Sequence, residues 1–194
     1  MPELEFTIRL NSPAFLGAAP AEWPGDSETS YFPVDPLGLR VPSLRGVLAF
    51  WYRSLLGDLD SEEVFRRQAT VFGAASRGQG VRIVPTGSAH WTSGEIRPPR
   101  DRDIRFLYLG YGPLQLEGSG PGPDGNPRYT ISSHAGDRPR DGIDVTPNQP
   151  RPQFKFLARG SRYQLVELGR ALRLMHLFGG VGGRSRRGWG SVAV

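Results

Sequence analysis

Positions 179–191 read GGVGGRSRRGWGS: six glycines, three arginines and one tryptophan in thirteen residues. The arginine fork grips phosphate bidentately and stacks on bases, which a lysine ammonium cannot imitate. Glycine lets a backbone approach a ligand closely and turn its N–H groups outward. The pattern therefore points to an anion, either a nucleotide phosphate or a long polyanion. A nucleotide site needs its glycine turn after a strand and before a helix, so that the helix N-terminus faces phosphate. Here a helical pattern precedes the glycines, the strand-like WGSVAV follows them, and no Gly-Lys-Ser/Thr occurs. The order favours a long polyanion whose sugar-phosphate the glycines let the backbone approach, with Arg184, Arg186 and Arg187 supplying charge and forks. Trp189 is expected to anchor the following strand rather than stack on a base.

A second basic feature is PSLRGVLAFWYR, which places Arg45, Ala49 and Arg53 at i, i+4 and i+8 on one shallow helix face, with Gly46 allowing close contact. Alone such a face is a solvated one; beside the glycine segment it extends the same groove. Other reactive types are sparse. His90, His134 and His176 have no ligand spacing and cysteine is absent, so no metal, cofactor or disulfide is expected. His176, just before the glycine segment, reads as a packing or capping residue. Asp26 and Asp35 lie in a loop-like stretch and read as turn-formers.

The chain has 194 residues and a net charge of +5. It holds 23 arginines and one lysine, Lys155. A GC-rich genome would give the same bias, so the placement of the arginines matters more than their number. The N-terminus lacks a signal pattern and no run approaches the ~20 apolar residues of a membrane span, so a soluble cytoplasmic protein is expected.

The elements that position these residues follow from periodicity. Leu4, Phe6, Ile8 and Leu10 alternate with polar residues as in a half-buried strand. Residues 15–41, rich in Pro and Gly, read as an irregular loop. Leu44, Val47, Leu48, Trp51 and Leu55 recur at helical spacing between Pro42 and Gly57. A second helix is predicted over 61–72 with Ser61 as its cap. Strands are predicted at 80–85 and 104–112. Residues 110–152 carry 16 Gly or Pro in 43 positions and form a long insertion with a short hairpin around RYTIS. QFKFLA then reads as a strand, and 162–178 as a helix with Leu165, Leu168, Leu172 and Met175 inward. The order predicts an α+β fold, a ferredoxin-like (RRM-like) antiparallel sheet with helices on one face.

VPSLRGVLAFWYRSLLG, VFG, LYLGYGPL and LFGGVGGRSRRGWGSV stand in the order found in the RAMP superfamily of CRISPR effector proteins, which this chain resembles over nearly its whole length. The likeness is strongest to the first RAMP subunit of the Cmr module of type III-B systems. The resemblance implies a ferredoxin-like fold and a place in a multi-subunit ribonucleoprotein of RAMP and Cas subunits that carries out antiviral defence. It implies binding of CRISPR RNA and target RNA without cleavage. Carried over to matching positions, Arg45, Arg53, Gly182, Gly183, Arg184, Arg186, Arg187 and Gly188 would line the RNA path. Family members usually continue into a second related domain, whereas this chain holds one glycine loop, so a single RAMP domain over 1–194 is expected, either a minimal single-domain version or a standalone half.

Two other classes stay open at this level. A RAMP-type endoribonuclease needs a base such as His and a cation near the phosphate, with His176, Asp26 or Asp35 as the available groups. A protein-interaction cap would use the same arginines against neighbouring subunits.

Overall fold

The computed structural model describes residues 1–23, 26–74, 78–97, 104–110, 112–121, 127–135 and 139–194. Four strands form the main sheet: β1 (Glu3–Leu10), β2 (Arg82–Ala89), β3 (Gln153–Arg159) and β4 (Val192–Ala193). Their spatial order is β4-β1-β3-β2, with every neighbouring pair antiparallel. The helices are α1 (Val41–Leu55), α2 (Ser61–Phe72), α3 (Ile104–Gly110) and α4 (Arg162–Phe178). Along the chain the sheet unit therefore runs strand, two helices, two strands, helix, strand.

Alternation along the strands sets the two faces of the sheet. Ile8 lies opposite Phe154 and Phe6 opposite Phe156, so large apolar groups meet across β1 and β3 on one face. The Phe6 and Phe156 rings stack with centroids 5.5 Å apart. Ile8, Leu10, Phe154, Phe156 and Ala158 are buried together with Leu44, Leu48 and Tyr52 of α1 and Leu168, Leu172 and Met175 of α4. Helical spacing on α1 and α4 thus supplies the second layer over this face. Pro85 sits in the edge strand β2, beside a bulge where the register against β3 shifts; an edge tolerates the missing N–H.

The helix ends have local causes. Pro42 occupies the first turn of α1, where its missing N–H costs nothing. Ser161 caps α4 in a reciprocal capping box with Gln164. For α2 the cap is Asp60 rather than the expected Ser61: the Asp60 carboxylate accepts from the Glu63 backbone N–H at 2.9 Å, and Ser61 is already helical.

Two further expectations are corrected. Residues 104–110, read as part of a strand, form α3. A short apolar run does not separate helix from strand by periodicity, and tertiary packing decides. Leu107 enters a second buried cluster with Phe15, Ile96, Leu114, Ile131 and Trp189. Within the 15–41 stretch, Ala21–Trp23 pairs with Asp26–Tyr31 as a hairpin instead of remaining irregular. In the 110–152 insertion the strand Pro127–Ser132 containing RYTIS pairs with Gln115–Pro121. That insertion is anchored from beneath by the second cluster.

Candidate nucleic-acid interface

The glycine segment is held as a defined loop, clamped to the residues that leave β1. The Gly183 N–H donates to the Phe15 carbonyl at 3.0 Å, Gly190 N–H to Pro13 at 2.7 Å, and Val181 N–H to Gly190 at 2.9 Å. The Ser12 hydroxyl donates to the Gly188 carbonyl at 2.6 Å and accepts from Ser191 N–H at 2.9 Å. Val181 and Trp189 are buried beneath the loop, and Trp189 packs on Phe15 with centroids 5.0 Å apart. Trp189 is therefore an anchor of this loop. A one-turn 3₁₀ helix, Ser185–Arg187, lifts the arginines outward between Arg184 and Gly188, both in the left-handed region.

Two kinds of glycine share the segment. Gly182 has φ +80°, and a Cβ there would stand 2.5 Å from the Phe15 carbonyl oxygen; Gly190 has φ +60°, and its Cβ would overlap the Val181 carbonyl oxygen. Both are demanded by the fold. Gly183 differs: its backbone is in an ordinary region and a Cβ would make only van der Waals contact, 3.6 Å from Phe15 Cβ. The fold does not require glycine there, yet the position is exposed on the concave surface.

That surface is a series of clefts along the glycine segment, the first two lined by Gly183. One, about 210 Å³, lies between Gly17, Arg40 and Ser43 at the start of α1 and Gly182 and Gly183. A second, about 420 Å³, opens between Arg184, Gly112, Pro113 and Arg140. A third, about 470 Å³, runs between Arg186 and the Gly46, Val47 and Phe50 side of α1. Among the described residues no side chain caps the first turn of α1, and Arg40 and Ser43 at this positive end line the first cleft. Arg184 and Arg186 are exposed, and neither guanidinium has a hydrogen-bond or ion-pair partner among the described residues. Arg187 is engaged in part, donating to the Tyr108 carbonyl at 3.0 Å and lying 5.5 Å from the centroid of that tyrosine's ring.

The helix arginines stand elsewhere. Arg45 places its fork on two backbone carbonyls, donating to Val81 at 2.7 Å and to Phe72, the last residue of α2. Arg53 donates to the Gln68 side-chain carbonyl at 2.7 Å, also on α2. The expected single groove uniting Arg45 and Arg53 with the glycine segment is thus corrected. The segment does reach α1, but on the face of Gly46, Val47 and Phe50, which begins one residue on, about 100° round the axis. The apolar stripe of α1 could be read from sequence; which of its two flanks met the loop depended on where α2 packed.

The remaining candidates also have local roles. His176 accepts at Nδ1 from the Val194 backbone N–H at 3.0 Å. Asp35 accepts from Leu37 N–H at 2.9 Å and pairs with Arg40 at 3.5 Å, a turn-former as expected. Only the backbone of Asp26 is among the described features, in the hairpin strand Asp26–Tyr31. Residues missed from sequence include Gly17, Ser43, Phe50 and Arg140, none of which carries a spacing signal. A further pair unseen in sequence is His134 Nε2 with Asp141 Oδ1 at 2.8 Å, and Asp141 borders a cleft shared with Gly183. No helix among the described residues is long and apolar enough to cross a membrane.

With this geometry in view, comparison with known proteins places the chain. A model of the RAMP superfamily matches residues 39–193. No curated protein sequence matches. Among solved structures, apo Cmr1 from Pyrococcus furiosus aligns with a TM-score of 0.51 and 19% identity, covering 99% of this chain and 49% of that one. A chain of the type III-B Cmr-β complex bound to cognate target RNA aligns with a TM-score of 0.55 and 17% identity, covering 98% of this chain and 57% of that one. At these identities the likeness is one of fold. This chain spans about half the length of the structures it matches.

Proposed function

The chain belongs to the RAMP superfamily, and from that premise we propose that it is a non-catalytic RNA-binding subunit of a cytoplasmic type III CRISPR ribonucleoprotein. It acts through one ferredoxin-like domain, a reading supported by the β4-β1-β3-β2 order and the helices on one face. The names of two structural relatives, a Cmr1 and a Cmr-β complex bound to target RNA, support RNA and other RAMP subunits as partners.

One observation carries the reading: Arg184 and Arg186 project beside a concave surface whose backbone is bare at Gly183 and Gly17, where the fold itself has no need of glycine. A sugar-phosphate strand can approach such a backbone closely, and the unpartnered forks can neutralise its phosphates. CRISPR RNA or the guide–target duplex is then held by shape and charge, with sequence left to base pairing. Arg45 and Arg53 drop out of this contact set because their guanidinium groups already bond elsewhere, Arg45 to the Phe72 and Val81 carbonyls and Arg53 to Gln68. A salt titration tests it: affinity for single-stranded RNA should fall by about 0.7 log units per log unit of salt for each phosphate neutralised. A flat dependence would favour a protein-interaction cap.

Cleavage is favoured by one observation, the His134–Asp141 pair beside the cleft, since an oriented imidazole is a general base for 2′-OH attack. Intact end-labelled RNA after prolonged incubation with excess protein supports the non-catalytic reading. Cleavage that disappears in His134→Ala would replace it.

A further inference from the structure

The cleft between α1, the end of α4 and the 3₁₀ turn differs from its neighbours in being aromatic. Phe178 is 71% exposed and Phe50 42%, with the half-buried Trp51 between them. The Trp51 and Phe178 rings are tilted by 36° with centroids 6.3 Å apart, and Phe50 meets Trp51 edge-on at 5.2 Å. Exposed rings clustered in a concavity of about 470 Å³ are a recognition feature rather than a folding requirement.

Three observations define what fits. Among the described residues the only charged one lining the cleft is Arg186, which has no partner there, and no carboxylate among them borders it. The opposite wall is bare at Gly46, in the interior of α1, where a Cβ would meet no atom within 4 Å. Glycine weakens a helix interior, and no steric demand of the chain explains it here. Finally, Ser185 and Arg186 of this cleft directly follow Gly183 and Arg184 of the adjoining one, so the two concavities lie along one turn of chain. A flat π-faced group attached to an anion meets all three conditions.

We propose that this cleft receives a single unpaired nucleobase from the strand held at Gly183 and Arg184, stacked on the exposed faces of Phe178 and Phe50, with a flanking phosphate on Arg186. This rests on the RNA-binding reading above and adds a preference to it. A base locked in a duplex cannot enter, so the site selects single-stranded or terminal nucleotides, tolerant of base identity because every base offers a π-face.

The experiment uses the full chain and short single-stranded RNAs carrying 2-aminopurine at successive positions, with the same sequence as a duplex for comparison. The expected result is fluorescence quenching at one position and tighter binding of the single strand. Phe178→Ala and Gly46→Leu should each abolish the quenching and weaken single-strand binding roughly tenfold, leaving the duplex unaffected. Because Phe178 is exposed, its variant keeps the wild-type melting temperature, which excludes a folding defect. Quenching that persists in both variants while RNA still binds overturns this inference and leaves the RNA reading intact. Loss of association with RAMP partner subunits, with RNA binding unchanged, overturns it in favour of a protein contact. Absence of RNA binding by the wild type removes both.

Discussion

Arg45 and Arg186 lie against neighbouring flanks of the same helix and have opposite fates. Arg45 meets the Phe72 and Val81 carbonyls. The Phe72 carbonyl is one of the acceptors that a helix end leaves unmet, and a cation there also faces the negative end of α2. Arg186, with Arg184, stands on a loop clamped by backbone and hydroxyl bonds to Ser12, Pro13 and Phe15, and neither guanidinium has an acceptor among the described residues. The contrast teaches that an arginine becomes available to a ligand when the fold has no orphan acceptor to give it. Arg66 and Arg67 repeat the first case, both pairing with Glu63 on α2.

The sharpest way to break this comparison is in the loop itself. Gly190→Ala should destabilise the fold by about 3 kcal/mol or more, from left-handed backbone strain and overlap with the Val181 carbonyl. Gly183→Ala should stay within about 0.5 kcal/mol of wild type in urea unfolding while weakening RNA binding. Equal stability losses would erase the division between glycines kept for the fold and glycines kept for a ligand.

Arg45→Ala should cost about 2–3 kcal/mol, because two carbonyls lose a charged donor, with RNA affinity near wild type once the protein is folded. Arg184→Ala with Arg186→Ala is the mirror image: unfolding unchanged, RNA affinity down about tenfold or more, and a salt slope shallower by roughly 0.7 per lost phosphate contact. If the Arg45 variant were the one to lose RNA at unchanged stability, the assignment of the two flanks would be reversed.

The smallest effect concerns Glu63, whose carboxyl is held down to about 2 by hydrogen bonds from Arg66 and Arg67. A folded-state value below the unfolded one favours the native state while the group is ionised. That contribution is present above pH about 4.5 and fades as pH falls towards about 2. Glu63→Gln should flatten the acid limb of the melting profile in that window, modestly, since the group is partly exposed and screened by solvent.

Periodicity and local chemistry alone determined much of this protein. The strand at Leu4–Leu10 and the helices of 41–55 and 162–178 are written in side-chain spacing within one element. Such patterns are visible because each element's own geometry imposes them. What only the tertiary structure decided is which arginines remain available, which flank of α1 faces the loop, that 104–110 coils as a helix, and that Phe50 and Phe178 share a cleft. Each of these turns on a partner tens of residues away: the carbonyls of Phe72 and Val81, the cluster under Leu107, the turn at Arg186. The identity of a residue states what it can bind; only the folded chain states whether that capacity has already been met.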